Sequence, residues 1–163
     1  MTARLKDKVA LISGAAQGLG KEMAKSMIAE GAEVYISDIN AEQLNETAKE
    51  LSCSCITHDV TYIEDWQKVI DQIRENSGAL NILVNNAGIG NGGDIESMDI
   101  DTWKLVHNVN LDSVFLGCKL ALPLMRDSGN GSIINISSMS GIVASHNTSA
   151  YNSSKAAVRH LSK

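Results

Sequence analysis

Short apolar segments alternate with helical patterns along this chain, and that alternation limits its fold more than any other feature. The apolar segments, rich in Val, Ile and Leu, are residues 8–13, 33–38, 55–58, 80–85 and 131–136. Apolar positions at helical spacing lie between them, at residues 18–30, 41–51, 63–76 and 101–125. Strands that alternate with crossover helices form parallel sheets. We therefore predict an α/β protein with a Rossmann-like, doubly wound parallel sheet made of strands one to five.

The ends of these patterns carry further signals. Gly31 is expected to close the first helix, since glycine takes the left-handed conformation without steric cost, and Asn40 to cap the second. A last helix begins near Tyr151, and its pattern still runs at Lys163 without a stop signal. We expect a single domain over residues 1–163 that is incomplete at its C-terminus. We also expect an open sheet edge beside the first and fourth strands, with apolar surface exposed there.

Composition excludes several classes of protein. Hydrophobic residues make up 44% of the 163 residues and charged residues 20%, which is ordinary for a globular domain. The net charge of -5, without a basic run, argues against nucleic acid or an anionic membrane as partner. Residues 1–7 lack the apolar core of a signal peptide. Cysteines 53 and 55 are too close for a zinc or redox pair. We therefore expect a cytoplasmic protein without a metal site.

A glycine-rich turn follows the first predicted strand. The segment Ser13-Gly14-Ala15-Ala16-Gln17-Gly18-Leu19-Gly20 leads directly into a helix. Such a turn lets the backbone approach a phosphate, which the first helical amides then bind. The alternative is a turn that serves loop geometry alone. Its place after the first strand of an alternating pattern favours nucleotide binding.

Asp38 ends the second strand, where a carboxylate accepts hydrogen bonds from adenosine ribose hydroxyls. It would also repel a 2′-phosphate, because like charges ~4 Å apart cost about 4 kcal/mol at an effective dielectric near 20. Neither Ile39 nor Gln17 supplies a compensating positive charge. The sequence therefore favours NAD over NADP, with a helix-capping acid as the alternative role of Asp38.

Two segments near the predicted crevice carry polar side chains. Residues 85–88, Asn-Asn-Ala-Gly, follow the fourth strand, although asparagines there also stabilise turns by themselves. Near the end, Lys155 follows Tyr151 by four residues, so both side chains share one helix face. A free tyrosine is protonated at neutral pH, and a nearby ammonium stabilises its phenolate. Tyr151 is thus a candidate acid or base for an alcohol or ketone, with Ser138 holding the substrate oxygen.

In these motifs the chain resembles the short-chain dehydrogenase/reductase family, in order and over essentially its whole length. Ser13 departs from the threonine that is usual before the first glycine. The resemblance implies proton transfer by four residues: Asn110, Ser138, Tyr151 and Lys155. It implies NAD contacts from a larger set: Gly14, Gln17, Gly18, Leu19, Gly20, Asp38, Ile39, Asp59, Val60, Asn86, Ala87, Gly88, Tyr151 and Lys155. Candidate substrate contacts are Ser138, Met139, His146 and Tyr151.

The resemblance also implies an activity and an assembly. We expect an NAD-dependent oxidoreductase that moves hydride between the cofactor and a secondary alcohol or ketone, such as a hydroxysteroid, and a homotetramer for the full-length protein. The family's later strands and substrate-covering loop do not follow Lys163. A truncated NAD-binding module without catalysis is therefore the alternative. For His107 and His160 we expect helix-surface roles, and for His146 a solvated loop is the competing interpretation.

Overall fold

A computed structural model describes residues 3–90 and 92–163, so Met1, Thr2 and Asn91 of the predicted N-terminal and glycine-rich segments lie outside the described residues. Within that part, the strands are β1 (Val9–Ser13), β2 (Glu33–Asp38), β3 (Ser54–Thr57), β4 (Ile82–Asn85) and β5 (Ser132–Asn135). The helices are α1 (Gly18–Ala29), α2 (Ala41–Leu51), α3 (Ile63–Ser77), α4 (Ile100–His107), α5 (Ser113–Asp127) and α6 (Ser149–Leu161). The five predicted strands are present, and so are the predicted helices except the fourth, with ends shifted by a few residues.

The strands form one parallel sheet in the order β3-β2-β1-β4-β5 among the described residues. The predicted α/β fold with a Rossmann-like parallel sheet is thus confirmed. The register places Ser13 of β1 beside Ser37 of β2, and Asn85 of β4 beside Asn135 of β5. The carboxyl ends of these strands therefore meet at one edge. The strand order changes direction between β1 and β4, since β2 and β3 lie on one side of β1, and β4 and β5 lie on the other. Such sheets form a ligand crevice at this point.

Alternate residues of each central strand pack on opposite faces of the sheet. Leu11 belongs to the core that includes Trp66 on α3, whereas Ile12 belongs to the core that includes Leu44 on α2. This follows from the two-residue period of a strand. Every residue of β1 is buried, because helices cover both faces.

Helix ends agree in part with the sequence signals. Gly31 follows α1 with φ +90°, as predicted, and the Asn40 side chain accepts a hydrogen bond from the amide of Gln43 at 3.1 Å. The last helix starts two residues earlier than predicted, at Ser149, and ends at Leu161. Ser162 closes it, and its Oγ accepts a hydrogen bond from Asn135 at 3.0 Å.

Two predictions about this fold are wrong. The open edge does not lie beside β1 and β4, since both have neighbours on either side; β3 and β5 are the edge strands. Apolar exposure occurs instead on β5, where Ile134 is 40% exposed. The helix expected over residues 101–125 is interrupted by a π-helical turn at Asn108–Asp112, which separates α4 from α5. Apolar spacing alone does not reveal one extra residue in a helical turn.

Candidate active site

The turn between β1 and α1 holds two predicted cofactor glycines against neighbouring backbone. Gly14 has φ +64°, and a Cβ atom there would lie 2.7 Å from Cα of Ala87. A Cβ atom at Gly20 would lie 2.5 Å from the carbonyl oxygen of Gly14. Neither position accepts a larger residue without a shift of backbone. Behind this turn α1 begins at Gly18 without a side-chain cap from Gln17, and uncapped helix N-termini bind phosphate groups.

Ser13 and Asn86 fasten this turn to the segment after β4. The Nδ2 of Asn86 donates to the carbonyl oxygens of Ser13 and Gly14 at 2.9 and 2.8 Å. In return, Oγ of Ser13 accepts from the amides of Asn86 and Ala87, each at 3.2 Å. Serine in place of the usual threonine therefore retains the hydroxyl that makes these contacts.

A cavity of about 740 Å³ lies at the carboxyl ends of the strands. Most of the predicted cofactor residues line it, namely Gly14, Gln17, Leu19, Asp38, Ile39, Asp59, Val60, Asn86, Ala87 and Gly88. Residues that the sequence analysis did not single out also line it: His58, Thr61, Tyr62, Ile89, Leu105, Asn108 and Val109. Most of these are chain neighbours of predicted residues, which is the signal that points to them.

Asp38 ends β2 at the wall of this cavity. One carboxylate oxygen accepts from the amide of Ala16 at 3.1 Å, and the other accepts from the amide of Asn40 at 3.0 Å. The carboxylate thus stabilises both the glycine turn and the start of α2. Ile39 is 66% exposed beside it and offers an apolar surface.

Asp59 and Val60 form a turn between β3 and α3. The Asp59 carboxylate accepts from the amide and hydroxyl of Thr61 at 2.9 and 2.7 Å, and its own amide donates to Asp65 at 3.1 Å. The carbonyl oxygen of Val60 accepts from Nε1 of Trp66 at 2.9 Å. This turn is therefore fixed from both sides before any ligand binds.

His58, which sequence analysis missed, is buried next to this turn. Its Nδ1 lies 3.0 Å from Oγ of Ser37, and its ring meets Trp66 edge-on at 4.4 Å between centroids. Burial lowers the pKa of His58 to about 4, although the nearby carboxylates of Asp65 and Asp59 oppose that shift. Its Nε2 is buried without a hydrogen-bond partner among the described residues. The imidazole is therefore neutral at physiological pH.

Lys155 and Asn110 lie together behind the cofactor segment. A Cβ atom at Gly88 would lie 3.2 Å from Oδ1 of Asn110 and 3.3 Å from Nζ of Lys155, so both groups lie next to Gly88. Nζ donates to the carbonyl oxygen of Ile136 at 2.8 Å, and burial lowers the pKa of Lys155. The segment at Gly88 and the ammonium group of Lys155 are therefore neighbours in the folded chain.

The π-helical turn explains how Asn110 reaches this place. Asn110 lies in the middle of the turn and is fully buried. Its Oδ1 accepts from the amide of Ile89 at 2.8 Å, and its Nδ2 donates to the carbonyl oxygen of Ile89 and to Oγ of Ser154 at 2.9 and 3.1 Å. One side chain thus joins the α4–α5 junction, the segment after β4 and α6. π-Turns of this kind occur frequently at functional sites.

Tyr151 lies near Lys155 on the same helix, and Ser138 begins a turn that contacts this helix. The Tyr151 ring centroid lies 5.9 Å from Nζ of Lys155 on the same helix. Ser138 begins a 3₁₀ turn, Met139–Gly141, and its Oγ accepts from the amide of Ser140 at 3.1 Å. A Cβ atom at Gly141 would lie 2.7 Å from the Lys155 carbonyl oxygen, so this turn rests on α6.

Two predicted substrate contacts lie on the exposed segment between Ser138 and Tyr151. Met139 is 73% exposed, and His146 is also exposed. Neither contributes to the 740 Å³ cavity. The roles assigned to all these site residues remain predictions.

Two other polar residues have clearer structural roles than the sequence indicated. His107 is not simply on a helix surface: its Nδ1 lies 2.9 Å from the Trp103 carbonyl oxygen and its Nε2 lies 3.1 Å from Oγ of Ser153. It therefore joins α4 to α6, a contact that no local spacing predicts. Asn85 donates to Oδ1 of Asn135 at 2.8 Å, which supports its structural interpretation.

These residues fit a dinucleotide cofactor. The turn at Gly14 and Gly20 has no room for a side chain, and the Ala87 backbone packs against Gly14. An uncapped helix N-terminus, which can bind a phosphate, follows the turn. Asp38 and the Asp59–Val60 turn lie along the same cavity. Among the described residues, no cluster of three or more His, Cys, Asp or Glu side chains forms a metal site. None of the described helices has the length and apolar character needed to cross a membrane.

The fold is that of a Rossmann-like protein, and its cavity lies at the carboxyl ends of the strands, where such folds bind ligands. The family model described as short chain dehydrogenase matches residues 8–163, and the chain belongs to this family. It is 41% identical, over its whole length, to the 3-alpha-(or 20-beta)-hydroxysteroid dehydrogenase of Mycobacterium tuberculosis, and spans 64% of that relative. It is 38% identical to the NADP-dependent (R)-specific alcohol dehydrogenase of Lentilactobacillus kefiri and spans 67% of it.

A solved structure shares the fold closely. The crystal structure of a short chain dehydrogenase from Mycobacterium smegmatis superimposes with a TM-score of 0.94 at 36% identity. The match covers 98% of this chain and 70% of that chain. The arrangement of strands and helices around the cavity is therefore that of the family.

Proposed function

We propose that this chain carries the cofactor-binding and proton-transfer residues of an NAD-dependent oxidoreductase that interconverts secondary alcohols and ketones, hydroxysteroids among them. The observation that carries the proposal is the position of Gly88. This residue belongs to the cavity wall and is also in contact range of Asn110 and Lys155. A cofactor site and a proton-transfer site are thus adjacent, as hydride exchange at an alcohol carbon requires.

Four residues of this chain take part in the proposed chemistry. When bound, NAD(H) accepts or supplies the hydride. In reduction the Tyr151 hydroxyl gives its proton to the ketone oxygen; in oxidation the Tyr151 phenolate, stabilised by the Lys155 ammonium, takes the proton of the alcohol. Ser138 holds the substrate oxygen by a hydrogen bond. Asn110 fixes α6 through Ser154 and keeps Lys155 beside the cofactor loop.

The preference for NAD is the finer part of this proposal. Asp38 supports it, since the carboxylate is fixed at the cavity wall by the amides of Ala16 and Asn40. A 2′-phosphate placed there would meet a negative charge at short range. The name of the Lentilactobacillus relative records NADP dependence for that protein. Cofactor choice in this chain therefore follows from the local charge rather than from family membership.

A titration and an assay test the proposal together. We expect calorimetry to detect binding of NADH and much weaker binding of NADPH, and NADH oxidation to occur with cyclic ketones, 3-oxosteroids included. Binding of NADH without turnover of any ketone would favour the alternative, a non-catalytic NAD-binding module. Failure to bind either cofactor, by a chain with a folded circular dichroism spectrum, would contradict the proposal. The homotetramer and the substrate of the whole protein remain predictions from family resemblance.

A further inference from the structure

Asn152, which the proposed chemistry does not use, is joined to the loop of residues 145–148. Its Oδ1 accepts from the amide of Ser145 at 3.2 Å and from Oγ1 of Thr148 at 3.0 Å. Its Nδ2 donates to the carbonyl oxygen of Ser145 at 2.7 Å. Both ends of this amide are thus used on the same loop, so its orientation is fixed. Asn152 directly follows Tyr151 in α6, which gives the loop a fixed position relative to that tyrosine.

The 145–148 loop is hydrogen-bonded in turn to a second loop, at Gly93. Asn147 has φ +52°, a left-handed conformation that asparagine tolerates better than most residues. In this conformation its carbonyl oxygen accepts from the amide of Gly93 at 2.7 Å, and Gly93 also pairs with Thr148. The segment after β4 is therefore connected to α6 through the loop that Asn152 holds.

The 145–148 loop follows an exposed apolar segment, residues 139–143, between Ser138 and Tyr151. Oγ of Ser140 lies 2.9 Å from Oγ of Ser145, which joins the 3₁₀ turn after Ser138 to the loop. Met139, just before Ser140, is 73% exposed, and Ile142 and Val143, between Ser140 and Ser145, are 60% and 68% exposed. An apolar surface beside a few fixed polar groups is the usual composition of a small-molecule site.

We propose that Asn152 is a positioning residue that determines specificity for bulky apolar substrates, an inference that rests on the proposed function. By holding the 145–148 loop, it fixes the apolar segment of residues 139–143 as a wall beside α6, the helix that carries Tyr151. The apolar ring system of a cyclic alcohol or ketone packs against that wall. A small ketone that ends short of the wall gains nothing from it.

Kinetics of Asn152→Ala test the inference, with trans-2-decalone and acetone as substrates. Loss of the hydrogen bonds leaves the wall to be ordered when the substrate binds, which weakens binding. We expect the KM for decalone to rise about tenfold, which is about 1.4 kcal/mol. The KM values for acetone and NADH and the kcat values are expected to stay within about twofold. Asn152→Asp, which places a carboxylate oxygen against the Ser145 carbonyl, is expected to raise the decalone KM at least as far. Asn45→Ala is the matched control, at an exposed asparagine whose side chain bonds to the Ala41 carbonyl oxygen and to Sγ of Cys55, away from the 145–148 loop.

Hydrogen exchange supplies a second measurement that does not need turnover. In Asn152→Ala the amides of Ser145 and Gly93 are expected to exchange faster together, while amides of β1 stay unchanged. Wild-type exchange at both amides, or an equal rise of KM for acetone and decalone, would overturn the inference. If the wild-type chain binds NADH but reduces neither ketone, the proposed function fails. The exchange result then decides by itself whether Asn152 holds the two loops.

Discussion

Strands β1 and β5 lie in the same parallel sheet, yet the segments that follow them are built differently. All five residues of β1 are buried, and the turn after it is packed so closely that no Cβ atom fits at Gly14 or Gly20, with side-chain hydrogen bonds from Asn86 and Asp38 holding it in place. No residue of β5 is fully buried, and the segment after it is held by side-chain hydrogen bonds and exposes Met139, Ile142 and Val143. The first region suits a cofactor of constant shape. The second leaves room for substrates that differ between relatives.

The largest expected effect tests whether the two regions are independent. Tyr151→Phe removes the hydroxyl that we propose exchanges a proton with the substrate, and general acid–base catalysis contributes roughly 10²–10⁴-fold to a rate. We expect kcat to fall by about that factor, while the Kd for NADH, measured by fluorescence, changes less than about twofold. Tyr35→Phe, on β2 and away from the cavity, is the control and should retain full activity. An equal loss of NADH affinity in Tyr151→Phe would mean that the regions are coupled.

The next effect concerns the stability of the cofactor side. The pKa of His58 is about 4 in the folded chain against an ordinary value of 6.5, because the ring is buried. As the pH falls below 6.5, the unfolded chain takes up a proton that the folded chain does not, so the free energy of unfolding decreases. The decrease is expected to reach about 3 kcal/mol near pH 4. Urea denaturation between pH 7 and pH 4 measures it.

Replacement of the ring isolates this contribution. His58→Gln is expected to remove most of the decrease between pH 6.5 and pH 4, since glutamine does not titrate there. His160→Gln, at an exposed histidine, is expected to leave the pH dependence as it is in the wild type. The same steep decrease in the His58 variant would show that another buried group causes it.

A smaller effect is expected from the glycine turn itself. In Gly20→Ala the new Cβ meets the Gly14 carbonyl oxygen and Nδ2 of Asn86, at 2.5 and 2.7 Å in the unrelaxed backbone. Overpacking of this kind costs roughly 1–3 kcal/mol, and here it also displaces the amides that we propose bind the cofactor phosphates. We expect the Kd for NADH to rise about tenfold or more in a calorimetric titration. In the control, Gly131→Ala, the new Cβ meets chiefly the flexible side chain of Met125, so binding should persist. Wild-type affinity in Gly20→Ala would argue against a close cofactor approach.

The same contrast explains which features could be predicted from the sequence. The strands and the glycine turn follow from local patterns, because apolar runs and glycines act over a few neighbouring residues. The contacts of His58, His107 and Asn152 join residues far apart in the chain or depend on loop conformation. The π-helical turn at Asn108–Asp112 was missed for another reason: one extra residue per turn barely alters apolar spacing. Resemblance named Asn110, but only the structure shows how the turn brings it to Ile89.

The smallest expected effect separates two roles of Asp38: the proposed repulsion of a 2′-phosphate, and the hydrogen bonds that hold the turn. Asp38→Asn removes the charge but keeps an oxygen that accepts from the Ala16 or Asn40 amide, so the turn should retain its shape. Without the charge a 2′-phosphate is no longer repelled, and we expect the ratio of the Kd values for NADPH and NADH to fall about tenfold, or about 1.4 kcal/mol. Asp71→Asn, at a surface carboxylate paired with Arg74, is the control for a general change in net charge. An unchanged ratio in Asp38→Asn would mean that the carboxylate serves the turn alone. Cofactor choice would then depend on the shape of the cavity wall.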